Sequence, residues 1–202
     1  MEETREVSEI NVLTLDIETT GLPAKGADYK TDFVDFPRIV SMAWKIKDEP
    51  TVEYIINPEG FEIPEEVIKI HGITNEKANE SKDFLVDVLE KLLIAGEDVE
   101  VVVGHGLYFD TSIIKANALR LKKQELYEKL TELLHKDKRV DTMQKTIKFC
   151  GLKKYPKLGE LYQKLFDEEF DGHCAANDVE ATYKCYNRLV ELNVLSAKKE
   201  IK

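Results

Sequence analysis

The sequence predicts an α/β fold in which a mixed sheet of about five strands, the first three antiparallel, is flanked by helices. Three observations predict it. Three β-branched and aromatic runs come first, at Glu9–Glu18, Arg38–Lys47 and Thr51–Pro58. A long amphipathic period then covers Ser81–Gly96. After it, a buried run at Val99–His105 and a short one at Arg139–Thr142 alternate with helical segments, the pattern that puts helices against a partly parallel sheet.

Each element has its own local warrant. The first run ends in Thr-Thr-Gly-Leu-Pro, which is turn chemistry, and residues 24–36 carry no period and read as a loop. Asp48–Pro50 separates the second and third runs, as in a hairpin. Pro64 suits the first turn of a short helix that Gly72 closes, and Thr74 or Asn75 caps the next one. Ser81 and Gly96 bracket the amphipathic helix as cap and stop. Further helices are expected over Phe109–Leu121, Gln124–Lys136, Thr142–Gly151, Leu158–Phe166 and Asn177–Leu192.

With 202 residues and 43% hydrophobic content, the chain can bury a core, and no linker, repeat or low-complexity tract divides it. Its apolar runs are far too short for a membrane span. The N-terminus is acidic and polar, and the three cysteines (Cys150, Cys174, Cys185) form no CxxC pair, so a cytoplasmic, reducing location is expected. A formal charge of −10 argues against a nucleic-acid partner at first sight. Its distribution argues less strongly: Lys115 to Lys157 holds 13 Lys/Arg and 5 Asp/Glu, a local +8 that leaves −18 elsewhere. That stretch is either a basic surface or a set of solvated lysine-rich helices.

The acids are more specific. Asp16 and Glu18 are two apart on a strand and so share a face, where repulsion and lost hydration make them costly. Asp110 follows a buried strand at the start of a helix, and Asp178 lies near the start of the last helix with His173 five residues before it. Taken singly, Asp110 and Asp178 read as helix-terminal acids, and His173 as a packing or surface residue. Together the four carboxylates are hard oxygen donors with no thiolate, a set suited to Mg²⁺ or Mn²⁺. Two such ions about 4 Å apart would serve in-line phosphoryl displacement. His173, the side chain whose ordinary pKa lies nearest neutrality, is placed to take the proton of the attacking water.

These motifs resemble those of the DEDD superfamily of 3′→5′ exonucleases, which share a ribonuclease H-like fold. "LDIETTGL" resembles the first motif, with Asp16 and Glu18 as metal-binding acids; "GHGLYFD" the second, with Asp110; "HCAANDVEAT" the third, with His173 as general base and Asp178 as last ligand. Histidine five residues before the final acid marks the His (DEDDh) branch. The likeness is to the epsilon-type proofreading domains of DNA polymerase III and to ribonuclease T-type enzymes. It implies one exonuclease domain over residues 1–202, with a core at about 12–189 and short polar termini. It implies two Mg²⁺, replaceable by Mn²⁺, and release of nucleoside 5′-monophosphates from single-stranded DNA 3′ ends, as in proofreading or repair, with a polymerase as a conceivable partner. The alternative is RNA 3′-trimming of ribonuclease T or oligoribonuclease type. A non-catalytic nucleic-acid-binding module is disfavoured because all four acids and His173 are present.

The resemblance also implies a pocket for the 3′-terminal nucleotide, formed by Thr19, Thr20, Gly21 and Leu22 with His71 and Ile73 of "IHGIT" and with His105 and Phe109 of the second motif. Leu22 and Ile73 are either a wedge beside the last base or core packing. Lys153, Lys154 and Lys157, with Tyr155 among them, would steer the phosphate backbone. Two departures stand out. Gly106 replaces an Asn common in the second motif, and the loop at 24–36 is an insertion. Its Tyr29, Phe33 and Phe36 are base-stacking platforms or, by preference, loop anchors.

Overall fold

A central strand sandwiched between others explains why the first apolar run is so uniformly buried. In the computed structural model, which describes residues 10–172 and 174–196, β1 (Val12–Thr19) lies at the centre of a five-stranded sheet of order β3-β2-β1-β4-β5. β2 (Ile39–Ile46) and β3 (Val52–Ile55) run antiparallel to their neighbours, while β4 (Val101–Gly104) and β5 (Arg139–Asp141) are parallel to β1. The mixed sheet is the one predicted.

Strand alternation divides β1 between two cores. Leu13, Leu15 and Ile17 enter the larger one, which is completed by α3 (Leu85–Ala95), α4 (Leu107–Arg120) and α5 (Gln124–Leu133). Val12 faces the other way, with Val101 and Val103 of β4, and is covered by α8 (Leu158–Phe166) and α9 (Ala175–Glu191). Asp16 and Glu18 share the parity of Val12, so they belong to the face that α9 crosses. A polar clasp fixes α9 there: buried Lys45 of β2 donates to the Glu180 carboxylate at 3.1 Å and to the Glu49 carbonyl at 2.7 Å, and the Thr51 hydroxyl also donates to Glu180. A buried ammonium needs such partners.

Two local expectations change. The amphipathic helix is capped by Phe84, not Ser81. The Ser81 hydroxyl instead donates to the Ile55 carbonyl at 2.5 Å, and Asp83 bridges to Ile56, so residues 81–83 are held extended against the sheet edge. The helix expected over Thr142–Gly151 is two single turns, α6 (Thr142–Lys145) and α7 (Ile147–Cys150), separated at Thr146. There the Thr146 hydroxyl donates back to the Thr142 carbonyl at 2.6 Å, a contact that bends helices. The short helices α1 (Glu65–His71) and α2 (Asn75–Glu80) meet at Gly72 and Thr74, and Thr74 is the cap, accepting from the Lys77 amide.

The insertion is anchored. Arg120 at the end of α4 donates to the carbonyls of Phe33, Val34 and Phe36, at 2.6, 3.0 and 2.6 Å, and the Asn117 amide donates to Pro37 at 2.9 Å. Phe36 is buried and Tyr29 and Phe33 pack partly against the larger core, which favours the anchor reading of these aromatics. The basic stretch also does not all reach the surface. Lys115 and Arg139 turn inward and share the Leu134 carbonyl at the end of α5, where cations complement the helix dipole. All three cysteines are free, and no described helix is long and apolar enough to cross a membrane.

Candidate active site

Three of the four motif acids meet at one end of the sheet. One oxygen from each of Asp16, Glu18 and Asp178 lies within 4.8 Å of the others. Alternation on β1 brings the first two together, and α9 delivers Asp178 from its first turn across that face. Asp110 is outside this tight group but next to it, buried in the first turn of α4. Gly106 starts that helix at φ 92, a left-handed conformation that Asn adopts far less readily than Gly, and a Cβ there would stand 3.6 Å from Met143. His173 lies outside the described residues. Gly172, just before it, is close enough to the cluster that an added Cβ would sit 3.3 Å from Asp178 Oδ1.

Burial and mutual repulsion dominate the electrostatics. Burial raises the Asp16 carboxyl well above its ordinary value, and the charges of Asp110, Asp178 and Glu18 push it further. Asp110 is raised chiefly by burial, against the pull of its own backbone N–H, with Asp141 and Glu18 adding repulsion. Glu18 is pushed up to about 7, first by burial and then by Asp178 and Glu53. No Lys or Arg pairs with Asp16, Glu18 or Asp110 among the described residues. An all-carboxylate donor set suits a hard divalent cation, which would relieve this repulsion.

The sign of the resulting pH dependence is definite. A carboxyl raised on folding contributes stability that is fully present below its ordinary value, 4.5 for Glu18, and is lost as the pH rises through about 7. With EDTA present, the melting temperature should therefore fall between about pH 4.5 and 7, and less so in Glu18→Gln. Equal slopes for the two proteins would rule out Glu18 as the source.

The residues expected around the terminal nucleotide divide into exposed and structural groups. Leu22 is 82% exposed, whereas Ile73 is buried in a small core with Val40, Ile63 and Ala78, so the wedge reading stays available to Leu22 and the packing reading describes Ile73. The Thr19 hydroxyl donates to the Gly21 carbonyl at 2.7 Å and the Thr20 hydroxyl accepts from the Arg38 amide at 2.9 Å; both shape the turn. Gly21, at φ 148, leaves the space a side chain would take open. His71 Nδ1 accepts from the Ile73 amide at 3.1 Å, which places the proton on Nε2, a buried atom with no partner among the described residues. Phe109 packs partly against the larger core.

His105 is fully used inside the protein. Its Nε2 donates to the Pro156 carbonyl at 2.9 Å and its Nδ1 lies 3.0 Å from the Thr142 hydroxyl. It thereby ties the loop bearing exposed Lys153, Lys154, Tyr155 and Lys157 to the strand that leads to Asp110. Lys154 is paired with Glu160 at 2.9 Å. Two further acids that the motifs do not single out border the cluster: Glu53 on β3, which accepts from the Cys174 thiol at 3.7 Å, and Asp141 at the end of β5. Asp141 obeys the same rule that drew attention to Asp110, an acid at the carboxyl end of a parallel strand.

Solved structures share this architecture. The nuclease domain of 3'hExo, a DEDDh family member bound to rAMP, aligns at a TM-score of 0.68 and 15% identity, covering 91% of this chain and 93% of that one. The zinc-bound complex of E. coli ExoI with ssDNA gives 0.66 and 17%, over 91% of this chain and 41% of that chain. Exonuclease I from Methylocaldum szegediense gives 0.65 and 18%, over 90% and 40%. This chain thus spans about four tenths of the length of the exonuclease I proteins. No curated protein sequence matches it. The family model of the RNase T exonucleases, described as "Exonuclease", matches residues 13–186, from the second residue of β1 into α9, and so takes in all three acid motifs. The chain is a nuclease of the RNase T exonuclease family.

Proposed function

We propose that the protein is a divalent-metal-dependent 3′→5′ exonuclease that releases nucleoside 5′-monophosphates from single-stranded DNA 3′ ends. The observation that carries this reading is the convergence of Asp16, Glu18 and Asp178, with Asp110 beside them and, among the described residues, no Lys or Arg paired with the acids of β1 and α4. Two Mg²⁺, or Mn²⁺ in their place, would be held by these four carboxylates. When bound, such cations supply Lewis-acid activation of water and charge stabilisation at the scissile phosphate.

The chain's own groups do the rest. His173 accepts the proton of the attacking water. The turn over Thr19–Gly21 presents backbone close to the terminal sugar, since Gly21 has no side chain to obstruct it. Exposed Leu22 offers an apolar edge to the last base without reading its identity. Lys153, Lys157 and Tyr155 offer the upstream strand charge and a stacking face, so affinity should weaken with salt.

RNA trimming is the second reading, supported by the rAMP bound to the 3'hExo domain, while the ExoI complex with ssDNA and the epsilon-like motifs support DNA. Matched 5′-labelled DNA and RNA oligonucleotides, with free, paired and mismatched 3′ ends, separate them. Stepwise shortening from the 3′ end that requires Mg²⁺ or Mn²⁺ and runs faster on single-stranded DNA is the expected result. Faster loss of RNA would replace the substrate assignment; cleavage unaffected by EDTA would overturn the mechanism.

A further inference from the structure

The line of acids at this end of the sheet extends past Asp110. Asp141 closes β5 opposite Gly104, the last residue of β4, and so stands beside the turn from which α4 begins. Its two oxygens have different surroundings. Oδ1 accepts three backbone N–H groups: Gly106 at 3.2 Å, Met143 at 3.0 Å and Gln144 at 3.2 Å. It thus caps α6 and fixes the start of α4 at once. Oδ2 is buried and has no hydrogen-bond partner among the described residues.

A helix cap does not explain that second oxygen. Ser, Thr or Asn would cap α6 as well, without carrying a buried carboxylate oxygen that has lost water and gained no donor. Nor do Lys and Arg account for it, because no salt bridge among the described residues includes Asp141. Asp141 is not one of the acids whose oxygens converge within 4.8 Å, so it is not a member of the direct ligand group. It is close to Asp110, whose carboxyl feels its charge more strongly than that of Glu18. An acceptor so placed, one step behind a candidate ligand, is in the position from which outer residues orient a metal site.

We propose that Asp141 is a positioning residue for the cation site, its buried Oδ2 accepting a hydrogen bond from the hydration shell of a divalent cation held at Asp110 while Oδ1 fixes the start of α4. The proposal rests on the reading of the four motif acids as cation ligands. Oδ2 is then satisfied only in the loaded protein, and the site gains a hydrogen bond that a neutral cap would lack.

The test is Mn²⁺ titration by calorimetry of wild type, Asp141→Asn, Asp141→Ser and Asp16→Asn, with melting temperatures in EDTA. Asn keeps the cap but presents a donor where Oδ2 accepted, and Ser keeps the α6 cap and removes Oδ2. Both variants should bind Mn²⁺ at least about tenfold more weakly while melting within a few degrees of wild type. At fixed low Mn²⁺, kcat should fall with an unchanged oligonucleotide KM, and recover as Mn²⁺ is raised. Mn²⁺ affinity within twofold of wild type in either folded variant would overturn the proposal, as would failure of both variants to fold, since the cap alone would then account for Asp141. If wild type binds Mn²⁺ no better than Asp16→Asn, the carboxylate site itself is wrong, an outcome distinct from failure of Asp141 alone.

Discussion

Asp16→Asn should abolish cleavage, by about 10³-fold or more, and yet raise the melting temperature of the cation-free protein. The two effects have one cause. Asp16 is half-buried within the carboxylate group, where Asp110, Asp178 and Glu18 all repel its charge. Its raised carboxyl makes the ionised form a liability that grows as the pH rises through its folded value. Asn fills nearly the same space without the charge, so the gap between variant and wild type should widen with pH. A gain of about 1 kcal/mol would appear as a shift of a few degrees. Added Mn²⁺ should reverse the order, stabilising wild type and leaving the variant unmoved. An Asn variant that keeps activity, or that melts below wild type in EDTA, would show that Asp16 is a structural acid.

His173→Ala should lower kcat by about 10²- to 10⁴-fold, the range of a lost general base, while the four carboxylates keep their Mn²⁺ affinity. The discriminating feature is the pH profile. Wild type should lose activity on acidification as the imidazole takes up a proton and can no longer accept one from water. In the variant that limb should disappear, leaving a rate that rises with hydroxide. Unchanged cleavage would remove His173 from the mechanism. Loss of Mn²⁺ binding together with activity would instead make it part of the cation site.

Period and punctuation carry far in this chain. The two-residue spacing of Asp16 and Glu18 was enough to place both on one face of β1, and the alternation that buries Leu13, Leu15 and Ile17 on the other face comes from the same run. The helix carrying Asp178 was legible from its own residues, as was the position of Asp110 in a first turn. Illegible features were those decided by partners distant in sequence. Ser81 has the chemistry of a cap, but the Ile55 carbonyl competes for its hydroxyl. Ile73 reads equally as wedge or core until Val40 and Ile63 surround it. Lys115 and Arg139 count as positive charges in any window, and only the fold shows them turned onto the end of α5. Asp141 was hidden for another reason: an acid before Thr at a strand end is an ordinary cap, and its unused oxygen is visible only in three dimensions.

The anchoring of the insertion bears on how this chain can change over generations. Arg120 and Asn117 send their donors into the carbonyls of residues 33–37, so the loop completes the hydrogen bonding of the helix that carries Asp110. Deleting the loop alone would strand a guanidinium and an amide over the larger core, and replacing the two side chains alone would release the loop next to the first motif. Shortening the insertion therefore requires compensating substitutions in α4, and the two segments are expected to be inherited, lost or remodelled as a unit. Among related sequences, Arg and Asn at these two positions should accompany a long loop and be absent where the loop is short.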